Sequence, residues 1–226
     1  MAQDFLEWVS GIQSEKHQGF SIAPGVVKDN FNLLSEGKVQ VHIPSVPDFD
    51  PWARLASVGG GSGRGFLWVP QIDDEVLVAF NRNDSRDAFI LGGLWSLMNR
   101  PPATLPTDFL TKRIIKTGVK DSPLAHTIEI DDLKQSIKIT TSTSQEITLD
   151  TDQISIQTTG GLLKITMDIL GVPPSISIES AGDISLSAPL GTISLDAMNV
   201  EISGEVSTDI SSDAAVSVTA AMVNIN

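Results

Sequence analysis

With 226 residues and 24.1 kDa, the chain has room for one ordinary domain or a small domain with an appendage, and its lack of cysteine excludes disulfides. Charge is divided along it: residues 1–120 hold 13 acids against 12 bases, and residues 121–226 hold 15 against 3 with no Lys or Arg after Lys164, which excludes phosphate backbones and anionic lipid as partners of the second half. All eight Phe and four Trp lie at or before Phe109 and Tyr is absent, so the final 117 residues lack the side chains of a conventional globular core.

The chain divides into four regions. Residues 1–18 place Phe5, Leu6, Trp8, Val9 and Ile12 at roughly helical spacing, which predicts a short amphipathic helix or docking arm. No basic start followed by an apolar run is present at the N-terminus, and no stretch reaches the ~18 apolar residues of a membrane span. The expectation is synthesis in the cytoplasm without a signal peptide. Over residues 19–97 the period shortens: Val39, Val41 and Ile43 alternate with polar residues, as do Val76, Val78 and Phe80, and Gly and Pro punctuate the runs. This predicts a small β-barrel. Residues 98–126, with Pro101, Pro102, Pro106 and Pro123, are expected to form an extended connector.

From 127 to 226 an apolar-polar-apolar unit recurs every seven to ten residues for most of the distance: Ile128-Glu129-Ile130, Ile137-Lys138-Ile139, Ile147-Thr148-Leu149, Ile154-Ser155-Ile156, Leu163-Lys164-Ile165, Ile176-Ser177-Ile178, Ile184-Ser185-Leu186, Ile193-Ser194-Leu195, Val200-Glu201-Ile202, Val216-Ser217-Val218 and Val223-Asn224-Ile225, with a weaker pair around Val206 and Ile210 in the remaining gap. Each short strand gains about 1.5–3 kcal/mol per aliphatic side chain fully buried, while ordering seven to ten residues costs about 1–2 kcal/mol each in backbone entropy. A lone chain does not cover that deficit. Several copies wound around one axis would supply each other with backbone hydrogen bonds and enclose Ile137, Ile139, Ile147, Ile154, Ile176, Ile178, Ile184, Leu186, Ile193, Leu195, Val200, Ile202, Val216, Val218, Val223 and Ile225 in a narrow interior. About twelve strand steps of ~4.8 Å give a needle on the order of 55–60 Å long. The bland alternative is a single-chain β-solenoid, which requires these units to group in threes.

The barrel region carries a resemblance. Gly37-Lys38-Val39-Gln40-Val41-His42-Ile43-Pro44, Trp52-Ala53-Arg54-Leu55-Ala56, Gly63-Arg64-Gly65-Phe66-Leu67-Trp68-Val69-Pro70, Asp73-Asp74-Glu75-Val76-Leu77-Val78-Ala79-Phe80 and Asp87-Ala88-Phe89-Ile90-Leu91-Gly92-Gly93-Leu94-Trp95 resemble, in order and spacing, the OB-fold of baseplate spikes and VgrG proteins. Pro101-Pro102 continues the match, and Lys112-Arg113-Ile114-Ile115-Lys116-Thr117 is similar to the segment leading into the family's needle. The resemblance implies an all-β chain, an N-terminal OB-fold barrel followed by an intertwined trimeric β-prism. It further implies a central spike of a contractile injection system or phage tail, a homotrimer that pierces the target envelope when a sheath contracts.

The same resemblance implies a baseplate hub protein at the N-terminal end, with Phe5, Leu6, Trp8 and Val9 as the docking residues. At the other end Met222, Val223, Asn224, Ile225 and Asn226 would present apolar strand edges to a cap, which in this family is a PAAR-type tip protein. With only some 18 residues before the barrel region and only the connector where some phage spikes insert a lysozyme domain, the resemblance is to the short phage-type spike, which would need a separate hub protein. The histidine-ligated iron tip of some short spikes needs His-x-His near the C-terminus, whereas the histidines here are His17, His42 and His126, so neither metal nor cofactor is expected.

Other candidate motifs dissolve on inspection. The loop Gly59-Gly60-Gly61-Ser62-Gly63-Arg64-Gly65 lacks both GxGxxG spacing and a Gly-Lys-Ser/Thr ending, and position 64 breaks a G-x-S-x-G frame. Asp73-Asp74-Glu75 reads as a solvated turn, and His42 as a surface or interface residue. Trp52, Trp68 and Trp95 could stack single-stranded nucleic acid, but the charge balance opposes it. No convergent constellation points to an enzyme. A trimeric receptor-binding fibre or adhesin is the alternative, opposed by a distal end without aromatics.

Overall fold

The computed structural model describes residues 21–31, 37–81, 84, 86–103, 105–120 and 122–224. The helix or arm predicted over 1–18, with the docking residues Phe5, Leu6, Trp8 and Val9, lies outside them, as do Ile225 and Asn226.

Five strands close the barrel: β1 (Ser21–Asp29), β2 (Lys38–His42), β3 (Trp52–Leu55), β4 (Glu75–Phe80) and β5 (Ala88–Leu94), in the order β1-β2-β3-β5-β4. All neighbours are antiparallel except β3 and β5, which run parallel with Ala53 opposite Ala88. The period-2 pattern decides which side chains point inward: Val39 and Val41 of β2 are buried while Lys38, Gln40 and His42 are not, and Val76 and Val78 of β4 join them. With Val27, Ile43, Ala53, Phe80, Ala88 and Ile90 they form the core, against which Phe49 packs its ring 5.9 Å from Phe80.

The outer wall has polar ties of its own. Arg54 Nη2 lies 2.8 Å from Asp87 Oδ1, with its guanidinium 4.4 Å above the Phe89 ring, and Asn81 Nδ2 donates to the other Asp87 oxygen. The Asn81 hydrogen bond and then the Arg54 contact lower the Asp87 pKa. His42 Nδ1 sits 2.6 Å from Asp50 Oδ1, and Lys28 approaches the second oxygen at 3.6 Å. β1 runs over β2 without room for a side chain at Gly25, where a Cβ would lie 2.4 Å from Val41 Cγ1 and 3.1 Å from Ile43 Cδ1.

A short helix α1 (Asp108–Thr111) leads into an antiparallel meander of seven strands: β6 (Lys112–Lys116), β7 (Thr127–Asp131), β8 (Ser136–Thr140), β9 (Glu146–Leu149), β10 (Gln153–Gln157), β11 (Leu163–Asp168) and β12 (Ser175–Ser180). The all-β fold with a barrel followed by strands is as the sequence implied. Two details differ from expectation. The sheet begins inside the segment 98–126, because Lys112–Lys116 alternates well enough to pair with β7, Ile115 opposite Ile128. And the repeats as far as Ser180 form an antiparallel ladder with their neighbours in the same chain.

Tight reversals make this possible. Gln135 (φ 51°), Ser144 (φ 60°), Gly160 (φ 72°) and Gly161 (φ 69°) take the left-handed conformation that reverses a chain in few residues. Asp131, Asp150 and Asp168 each accept two backbone N–H groups of the turn that follows. Residues 182–226 form a separate unit without a regular strand among the described residues.

Gly25→Ala is expected to force Val41 or β1 aside and to lower barrel stability by about 1–3 kcal/mol, read as a reduced denaturant midpoint. An unchanged midpoint would mean that β1 moves freely at this point.

Candidate assembly surface

The register of the meander sorts its side chains into two unlike faces. On one, directly opposed residues form two rows across the sheet. The first is Ile115, Ile128, Ile139, Ile147, Ile156, Ile165 and Ile178; the second is Ile130, Ile137, Leu149, Ile154, Met167 and Ile176, with Arg113 at its end. The repeat dictates this, since the two apolar residues of each unit are two positions apart and share a face. Expected interior residues Ile137, Ile139, Ile147, Ile154, Ile176 and Ile178 all fall on this face.

Within one chain the face is uncovered. Ile139, Ile147 and Ile165 are each 37% exposed even at the centre of the sheet, and Ile176 at its edge is 68% exposed. Monomeric proteins rarely leave so long an apolar strip in water. Covering it would contribute on the order of 10 kcal/mol per chain.

The opposite face is polar and internally tied. Glu129, Lys138, Thr148, Ser155, Thr166 and Ser177 form its central row. Lys138 Nζ lies 2.6 Å from Glu146 Oε2, while Thr148 Oγ1 and Gln157 Nε2 donate to Glu146 Oε1 at 3.1 and 3.4 Å. The Lys138 hydrogen bond, reinforced by the Thr148 hydroxyl, holds the Glu146 carboxyl below its ordinary value. Lys112 bridges Glu129 at 3.2 Å and Asp108 at 3.4 Å, and its ammonium is held above the usual lysine range by Glu129 first. These ion pairs are satisfied inside one chain, whereas the Thr166 hydroxyl of the central row is buried without a hydrogen-bond partner.

In residues 182–224 the repeat persists without a ladder. The first aliphatic residue of each unit, Ile184, Ile193, Val200, Val216 and Val223, is 51–56% exposed, and the second, Leu186, Leu195, Ile202 and Val218, is 66–72% exposed. Met222 is 76% exposed, and Asn224 is exposed as well.

Features that might have carried chemistry do not converge. The glycine-rich loop folds back on itself through paired Gly61 and Arg64, with Gly59, Gly63 and Gly65 at positive φ. Phe66 stacks on Trp68 with centroids 5.7 Å apart. Trp68 and Trp95 line a cleft between this loop and β6, and Trp52 is not among its lining residues, so the three tryptophans do not make one platform. Asp74 accepts from the Gln71 N–H, and Asp73 pairs with Lys120. Among the described residues no group of three or more His, Cys, Asp or Glu side chains could hold a metal ion, and no helix is long and apolar enough to cross a membrane.

Comparison with known proteins places the barrel. Residues 23–95 match the family model of the type VI secretion system/phage-baseplate injector OB domain. The chain is 32% identical over 87 residues to the actin cross-linking toxin VgrG1 of Vibrio cholerae serotype O1, which covers 36% of this chain and 8% of that protein. The chain therefore spans less than a tenth of the length of this relative.

Because the Glu146 pKa is depressed in the folded chain, its ion pair contributes stability above the unfolded-state value near 4.5 and loses it as pH falls through the lower folded value. Glu146→Gln is expected to cost a few tenths to about 1 kcal/mol at pH 7. The difference in thermal midpoint between the two proteins should shrink as pH falls below 4.5; a constant difference would rule out the ion pair as its source.

Proposed function

We propose that this chain is the structural central spike of a contractile injection system or phage tail, a reading supported by the match of residues 23–95 to the injector OB-domain model and by the likeness to VgrG1. It acts as a homotrimer whose C-terminal half is the needle, driven through the target envelope when the sheath contracts. The observation that carries this reading is the pair of aliphatic rows left uncovered by the chain that makes them. Ile, Leu and Val without aromatics fit a narrow shared interior in which like residues from three copies meet.

A needle of this kind works by transmitting axial force, so its residues matter by filling volume rather than by reacting. Function without a catalytic site is part of the proposal, and the purified protein is expected to leave peptidoglycan intact. The N-terminal arm with Phe5, Leu6, Trp8 and Val9 is assigned to a baseplate hub. Met222, Val223 and Asn224, continuing to Ile225 and Asn226, are assigned to a PAAR-type tip protein, which would cover strand ends that otherwise invite pairing.

Light scattering coupled to size exclusion should give a mass three times 24.1 kDa that persists on dilution. Ile184→Asp or Ile193→Asp would bring three carboxylates together in a dry interior and is expected to abolish the trimer. A monomeric wild type, or a trimer formed by these variants, would overturn the proposal.

A further inference from the structure

Resting on the trimer reading above, we infer a second interface at the junction of barrel and sheet, in which Phe109 and Leu110 of one copy seat in the cleft of Trp68 and Trp95 of the next. The knob is α1, a single helical turn that buries none of its residues within its own chain. Phe109 is 56% and Leu110 77% exposed, although both are large and apolar. The turn is nonetheless held in place. Asp108 accepts from the Leu105 N–H at 3.0 Å and pairs with Lys112 at 3.4 Å, and the Thr111 hydroxyl donates to the Thr107 carbonyl at 3.2 Å. A fixed turn that holds two adjacent bare apolar side chains in water has the character of a contact site.

The cleft is the matching hollow. Phe66, Trp68, Trp95 and Met98 line it together with Ile114 and Ile115 of β6. Its volume of about 1470 Å³ exceeds the ~300–1,000 Å³ of small-molecule pockets and suits a protein segment. Trp95 remains 70% exposed within one chain, and aromatic and methionine side chains are the residues that interfaces use as anchors. Ile115 also stands opposite Ile128 at the end of the first aliphatic row, so the cleft continues the face that the trimer covers.

Placement assigns the occupant to another copy. α1 precedes β6, whereas the cleft is lined by the far end of that strand, from Ile114 to Lys116, and Phe109 does not line it. The five steps from Thr111 to Lys116 span about 16–17 Å of extended chain, so knob and hollow lie at opposite ends of one strand. Copies related by rotation about a common axis meet through unlike surfaces, one side of each against the other side of the next. A knob at one end of β6 and a hollow at the other is the arrangement that such a closed ring requires. A twofold pair would instead need each surface to match itself.

The test uses the full chain with Phe109→p-benzoylphenylalanine, a photo-reactive substitution. The variant is confirmed as a trimer by light scattering, irradiated and run on a denaturing gel. The expected product is chains linked to one another, with the adduct mapped by mass spectrometry to Trp68, Trp95 or Met98. An adduct within one chain, an adduct elsewhere on the neighbour, or none within a confirmed trimer would overturn the inference and leave the trimer standing. Leu110→Cys adds no bulk and gives a second reading in a chain that has no other thiol. In the trimer this thiol should react with a maleimide about tenfold more slowly than in the urea-unfolded chain. Equal rates would overturn the inference even where the photo-reactive variant fails to assemble, and a monomeric wild type would remove the trimer reading itself.

Discussion

A strand has two obligations, and between Lys112 and Ser180 this chain meets only one of them by itself. Its backbone must be hydrogen-bonded and its apolar face must be kept from water. Between Lys112 and Ser180 the first obligation is met in place, through seven strands of one chain. The second is not, since two rows of Ile, Leu and Met stand 37% exposed or more at almost every position. In the proposed trimer the cover for this face is the same face of the other copies, as long and as aliphatic as the first. That requirement is what ties the architecture to assembly.

The barrel is built on the opposite plan. Val27, Val39, Val41, Ile43, Val76 and Val78 are essentially inaccessible within one chain, so this domain is complete by itself. Its aromatic residues serve as wall and trim, as Phe49 does against Phe80 and Phe89 beneath Arg54. One chain thus joins a self-sufficient domain to a segment that is insufficient alone, and the boundary coincides with the loss of aromatic residues after Phe109. A round core needs a few large side chains to fill its centre. A thin prism, as proposed for the needle, would have no such centre, and many small aliphatic side chains would fill it better.

The strand alternation, the barrel and the apolar face were all legible from residue spacing, because a period of two leaves no freedom about which side chains share a face. Ile137, Ile147 and Ile176 lie together for that reason. The identity of the hydrogen-bonding partner was not legible. The apolar-polar-apolar unit reads alike on both sides of Ala181, yet among the described residues only the units before it form a ladder within the chain. Gln135 and Ser144 adopt positive φ although neither is glycine, so no composition rule flags them. The Asp131, Asp150 and Asp168 turns were in principle visible, since an aspartate directly after a strand commonly accepts from the turn that follows. The start of the sheet at Lys112 was obscured by the basic residues of β6, which hide a pairing pattern that Ile115 satisfies.

The charge asymmetry follows from the same division of labour. Where the chain supplies its own strand neighbours, bases are kept to tie the polar face, as Lys138 does with Glu146 and Lys112 with Glu129. Beyond Lys164 the bases end, and Asp183, Asp196, Glu201, Glu205, Asp209 and Asp213 remain at intervals along the repeat. Strand-like repeats with no ladder inside the chain are the ones at greatest risk of pairing wrongly. Uniform negative charge along their outer positions repels stray edges at a range of about one Debye length, ~8 Å in physiological salt. The short-range aliphatic contacts of a correctly registered assembly act well inside that distance. Acidity after Lys164 is therefore consistent with a surface that selects for register over contact, a role in which paired lysines would be counterproductive.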